Sequence, residues 1–182
     1  MPKNNTFIVD TNVPVNANKS KECSISTFPV EDLEMMLACI ETIERIQKNK
    51  SLISLDLQGE ILTEYDRYLN RHGQPGPGDQ FFNWVHRNLG NTSIVKWLDV
   101  TSIDTNKMKG IKRQHLPDFH ADDHKFLAVA FACSENQAVI IQSSDSLWWG
   151  YKEILIRLGI IVEFVHENYI RKAFEKKFEN DK

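Results

Sequence analysis

Phe7-Ile8-Val9-Asp10-Thr11-Asn12 is a short apolar run that ends on an acid. Residues of high β-propensity bounded by turn-forming polar ones predict a buried strand, with Asp10 at its carboxyl end. Similar runs at residues 51–55, 94–100, 138–141 and 160–165 predict four more strands. Between them the apolar spacing changes to three and four. Leu33, Met36, Leu37, Ile40, Ile43 and Ile46 give one apolar face to a helix over 31–48. Further helices are expected over 58–70, 80–89 (with Asp79 as its cap), 121–134, 147–158 and 169–178. Residues 11–28 are polar and read as a flexible, exposed loop with a helical turn near 13–17. Strands alternating with helices predict an α/β fold, three layers deep, with a central parallel sheet of about five strands.

Composition narrows the class. A chain of 182 residues that is 41% hydrophobic and 26% charged suits one soluble domain spanning 1–182. The net charge of -3 excludes a polycation, so any nucleic-acid contact needs a local basic patch or metal ions that offset the acids. Of three cysteines, Cys39 and Cys133 fall on apolar helix faces, none belongs to a CxxC pair, and no disulfide framework is expected. No apolar leader precedes the first strand and no run approaches the length of a membrane span, so the expected setting is cytoplasmic, with no membrane partner.

Four acids stand where such a fold brings strand ends and adjoining helices together: Asp10, Glu64, Asp123 and Asp145. The carboxyl edge of a parallel sheet is where open α/β folds place their sites. A donor set made only of carboxylates suits Mg²⁺ or Mn²⁺, and such ions drive phosphodiester cleavage.

In these pieces the chain resembles PIN-domain ribonucleases from Phe7 to about Val165. Ile8-Val9-Asp10-Thr11-Asn12-Val13 looks like the family's opening strand and first acid. Glu60-Ile61-Leu62-Thr63-Glu64-Tyr65 is similar to the helix of the second. Asp123-His124-Lys125-Phe126-Leu127-Ala128-Val129-Ala130 looks like the helix of the third, and Ser143-Ser144-Asp145 like the turn of the fourth. The resemblance implies strand order 3-2-1-4-5 and metal-dependent cleavage of single-stranded RNA that leaves a 5′-phosphate and a 3′-hydroxyl. It also raises a toxin role, with an antitoxin protein as partner. Asp10, Asp123 and Asp145 would coordinate Mg²⁺ or Mn²⁺, with Glu64 as an outer ligand or the group that orients the attacking water. Glu60 shares a helix face with Glu64 and is its alternative; Asp122, about 100° round the helix from Asp123, is assigned to the helix N-terminus. Relatives of this type often carry another acid two positions past the fourth; here that position is Leu147, so one metal and two stay alternatives.

Asn12 and Ser143 are expected to hold Asp10 or a metal-bound water, with ordinary turn chemistry as the alternative. Lys109, Lys112 and Arg113, with Lys107, form a basic segment beside the third acid, and Arg67, Arg71 and His72 end the Glu64 helix; these would draw in an RNA backbone. His120 and His124 are four apart, but the intervening residues lack the HExxH glutamate, which argues against zinc. Phe81, Phe82 and Trp84 read as core, or as a homodimer or antitoxin surface. The competing function is a catalytically silent PIN-like protein that binds RNA or a partner. A phosphotransferase of the haloacid dehalogenase type would need an acid where Asn12 stands.

Overall fold

The computed structural model describes residues 6–21, 28–101, 115–116, 119–133 and 138–178. Strands β1 (Thr6–Val9), β2 (Leu52–Asp56), β3 (Val95–Leu98), β4 (Ala138–Gln142) and β5 (Ile161–Phe164) form one sheet in the order β3-β2-β1-β4-β5. Every neighbouring pair is parallel, and helices flank the sheet. This is the three-layer α/β/α class and the strand order expected above. β1 is central and buried along its whole length, which explains why it reads as a continuous apolar run without alternation. Its ladder continues one residue past the strand: the Asp10 amide donates to the Ile141 carbonyl at 3.0 Å.

Residues 12–18 correct the expectation of an exposed loop. They form helix α1 (Asn12–Asn18), followed by a 3-10 turn over Lys19–Lys21. Val13 and Ala17, four apart, make a narrow buried stripe that the surrounding asparagines hide from a composition-based reading. Pro14 lies in the first turn, where a helix needs no amide donor. Residues 22–27, the rest of the expected loop, lie outside the described residues.

Helix α2 (Val30–Lys48) buries Met35, Met36, Cys39, Thr42, Ile43 and Ile46. Leu37 was expected on that face but is 57% exposed, because it lies about 100° round the helix from Met36. Helix α3 (Glu60–Tyr68) starts on the buried carboxylate of Asp56, which accepts from the Glu60 amide at 2.6 Å and the Ile61 amide at 2.9 Å.

Helix α4 (Pro77–Arg87) begins earlier than expected, so Asp79 is no cap but a first-turn residue. Asp79 is buried and receives three donors: Asn18 Nδ2 at 2.7 Å, the Asn70 amide at 2.8 Å and the Gly76 amide at 2.9 Å. The start of α4 is capped from another helix. Asn18 Oδ1 accepts from the Gly78 amide at 2.9 Å and the Asp79 amide at 3.2 Å. Helices α1, α2 and α4 pack on one another.

A 3-10 turn (Ala121–Asp123) leads into α5 (His124–Ala132), which lies across β1, β2 and β4. The helix expected over 147–158 is two short ones, α6 (Ser146–Gly150) and α7 (Lys152–Arg157), broken at Tyr151. Helix α8 (Glu167–Phe178) closes the described chain. Cys39 and Cys133 are free and buried, as expected; burial pushes the Cys39 thiol up to about 12, which makes it inert. Phe81 and Phe82 are fully buried, which leaves them no part in a surface. Among the described residues no helix is long and apolar enough to cross a membrane.

Candidate functional site

The chain leaves β1 and folds Asp10 back on itself. Asp10 Oδ1 accepts from the Asn12 amide at 2.8 Å, and its carbonyl accepts from the Val13 amide at 3.0 Å. This Asx turn fixes the carboxylate while it is only 1% exposed. β1 has β2 on one side and β4 on the other, so Asp10 stands at the point where the strand order reverses.

The other three acids come in from different elements. Asp145 follows β4 and caps α6, its Oδ1 accepting from the Leu147 amide at 2.9 Å. Asp123 closes the 3-10 turn before α5. Glu64 stands on α3, and the Tyr65 hydroxyl next to it donates to the Val9 carbonyl at 2.5 Å, tying α3 to the strand end just before Asp10. The Tyr65 ring packs edge-on against Phe81 and Phe82, so α4 braces the same helix. Tyr65→Phe removes that one donor and leaves a buried carbonyl short of its partner. It is expected to lower stability by about 1–2 kcal/mol, read as a lower urea midpoint. An unchanged midpoint would show that the hydroxyl anchors nothing.

Electrostatics bring the four acids into one field. The Asp10 carboxyl is pushed up from its usual 3.8 to about 8, first by burial, then by Asp123, and further by Glu64 and Asp145; the Asn12 amide opposes the shift. Asp123 is raised to about 6, again first by burial, then by Asp145 and Glu64, against the pull of Lys125 and His120. Asp10 thus feels Asp123, Glu64 and Asp145, and Asp123 feels Asp145 and Glu64, which places the four carboxyl groups in one neighbourhood.

The remaining expected residues divide. Asn12 serves Asp10 through its backbone amide, while its side chain is exposed. Ser143 is buried, but its hydroxyl accepts from Asn16 Nδ2 at 3.0 Å and does not hold Asp10. Asn16 also donates to the Ser144 hydroxyl at 2.9 Å, so this buried amide stitches α1 to the turn that carries Asp145. Arg67 lines an open groove of about 360 Å³ with Glu60, Glu64, Tyr68, Asp122 and Lys125. Arg71 turns away, paired with Asp66 at 3.2 Å and lying over the Phe82 ring. Lys109, Lys112 and Arg113 lie outside the described residues. His124 stacks flat against Phe119, and His120 is exposed at the site's margin.

Sequence reasoning missed two residues of the site. Asn16 was hidden in a polar stretch; its only signal is its place six residues after a strand-end acid. Lys125 pairs with Glu64 and donates to the Asp122 carbonyl, and its side chain is only 8% exposed. A lysine in the first turn of a helix ordinarily reads as solvated.

The donor set fits Mg²⁺ or Mn²⁺ in kind: four carboxylates, two of them raised partly by mutual repulsion that a dication would relieve. Thr11 Oγ1, next to Asp10 in the chain, is buried with no partner among the described residues. Among the described residues, no three His, Cys, Asp or Glu side chains yet converge as a formed metal cluster. No family model, no curated protein and no solved structure matches the chain.

Proposed function

We propose that the protein is a metal-dependent endoribonuclease that cleaves phosphodiester bonds of single-stranded RNA with water as the nucleophile. The observation that carries this reading is the placement of buried Asp10 at the end of β1 and of Asp145 after β4, neighbouring strands at the reversal point of a parallel sheet, with Asp123 and Glu64 near enough to raise the Asp10 carboxyl. The resemblance to PIN-domain ribonucleases adds the substrate class. A bound Mg²⁺ or Mn²⁺ supplies Lewis acidity and a water of lowered pKa. Asp10, Asp123 and Asp145 hold that ion, and Asp10 must first give up the carboxyl proton that burial keeps on it below about pH 8. Glu64, on the helix that Tyr65 ties to the end of β1, orients the attacking water. Arg67, with Lys109, Lys112 and Arg113 of the basic segment, draws the RNA backbone toward the acids. A toxin role with an antitoxin partner, in a reducing cytoplasm, belongs to the same reading.

Two observations favour the second reading, a silent protein that binds RNA or a partner. Glu64 is already engaged by Lys125, and the carboxylates have not closed into a metal cluster among the described residues. Purified protein incubated with end-labelled single-stranded RNA and Mn²⁺, Mg²⁺ or EDTA separates the two. Metal-dependent fragments bearing a 5′-phosphate are expected. RNA that is bound but intact under all three conditions would replace the nuclease with the binding protein.

A further inference from the structure

Lys125 is an unusual resident of an acidic site. The residue is half-buried and its side chain is only 8% exposed, yet it carries a charge. A buried ammonium is stable only where hydrogen bonds and opposite charge replace its water. Here Glu64 gives the charge and the Asp122 carbonyl accepts a hydrogen bond. The same ammonium lowers the pKa of Asp123. It therefore stands between the second and third acids of the cluster and offsets part of a repulsion that would otherwise be unrelieved. It lies on the wall of the groove, 4.7 Å from the centre of the Phe126 ring, with open volume beside it.

From this placement we infer that Lys125 is the metal-free site's own cation, and that a divalent ion binds in competition with it. This rests on the reading of the four acids as a metal site. The ammonium occupies the charge-balancing place beside Glu64. While it does, Glu64 is turned to Lys125. Entry of a dication puts three positive charges among four carboxylates, and like charges a few ångströms apart repel even where water screens them. The long, flexible lysine stem lets the ammonium withdraw into the groove, and Glu64 is freed toward the ion. In the groove Lys125 stands beside Arg67, where an RNA phosphate would meet it. Metal loading and exposure of a substrate-facing cation thus become one event.

Lys125→Met keeps the length of the side chain and removes its charge. Calorimetric titration with Mn²⁺, without RNA, is expected to show the variant binding about tenfold more tightly than the parent. Lys125→Arg keeps the charge and is expected to bind Mn²⁺ much as the parent does. Equal or weaker affinity in Lys125→Met overturns the inference while leaving the metal site in place. If the parent and both variants bind no Mn²⁺, the metal reading itself falls and takes the inference with it. The unaltered protein gives an independent test that does not depend on a variant folding. Acylation by an N-hydroxysuccinimide ester, mapped by mass spectrometry, is expected to be slow at Lys125 without metal and several-fold faster with saturating Mg²⁺. A Lys125 labelling rate that Mg²⁺ leaves unchanged overturns the inference.

Discussion

Asp10→Asn is expected to stabilise the metal-free protein and to cut cleavage sharply together. The two effects share a cause. Asp10 is 1% exposed, and its carboxyl titrates near 8 in the folded chain against 3.8 ordinarily. Between those values the folded state holds a proton that the unfolded chain has lost. Stability is therefore fully present below about pH 4 and falls as pH rises toward 8, where the folded carboxyl ionises. Each pH unit in that window removes about 1.4 kcal/mol from this group's contribution. Asparagine has the same shape, still accepts from the Asn12 amide and carries no charge to bury. Melting temperatures of metal-free protein measured from pH 5 to 9 should show a downward slope for the parent and a flatter one for the variant, which ends the more stable at pH 9. Cleavage should fall by about a thousandfold, the scale of losing one electrostatic contact to the transition state. A variant no more stable than the parent at high pH would mean that Asp10 is not held in the environment described.

The second large effect is structural. A Cβ on Gly78 would sit 1.9 Å from the Pro14 carbonyl oxygen and 2.6 Å from its carbon. Those are backbone atoms and cannot rotate aside. Helix α4 packs on α1 at this contact, and Asn18 accepts from the Gly78 amide there. Gly78→Ala must therefore push the two helices apart or break the Asn18–Asp79 bonds, at a cost of about 3 kcal/mol or more. α1 is also the helix that begins at the Asp10 turn and carries Asn16 to the Asp145 turn. The same substitution is thus expected to weaken the site from a distance, read as a lower urea midpoint together with reduced Mn²⁺ affinity in the protein that remains folded. A midpoint equal to the parent's would show that α1 and α4 do not approach as closely as described.

The sheet was legible because each strand is a short run rich in apolar residues, and short length with turn residues on either side separates such runs from helices. Strand order was not; it came from the resemblance, since nothing local in Phe7–Val9 says which strands lie beside it. Asp10 and Asp145 could be placed after strands from the sequence, but so could Asp56, which caps α3 instead; the resemblance, not position, singled out the four candidate acids. Their partners were harder. Asn16 and Asn18 look like solvated turn residues and Asp79 like a helix cap until tertiary contacts bury Asn16 and Asp79 and half-bury Asn18, and burial of a polar residue leaves no mark in local sequence. The break at Tyr151 likewise escaped notice, because α6 and α7 together keep an unbroken helical spacing. Lys125 shows the limit most clearly. Its burial depends on Glu64, some sixty positions earlier, and no window along the chain contains both.

β1 pairs at Thr6 with Leu52 on one side and with Ala138 on the other. The first neighbour leaves the ribosome long before the second. Until β4 docks, Asp145 has no fixed place and Asn16 lacks Ser143 and Ser144 to hold. A nascent chain therefore carries three of the four acids without a finished site. If the site cuts RNA, its own topology withholds it until β4 and the turn that Asn16 holds have been made.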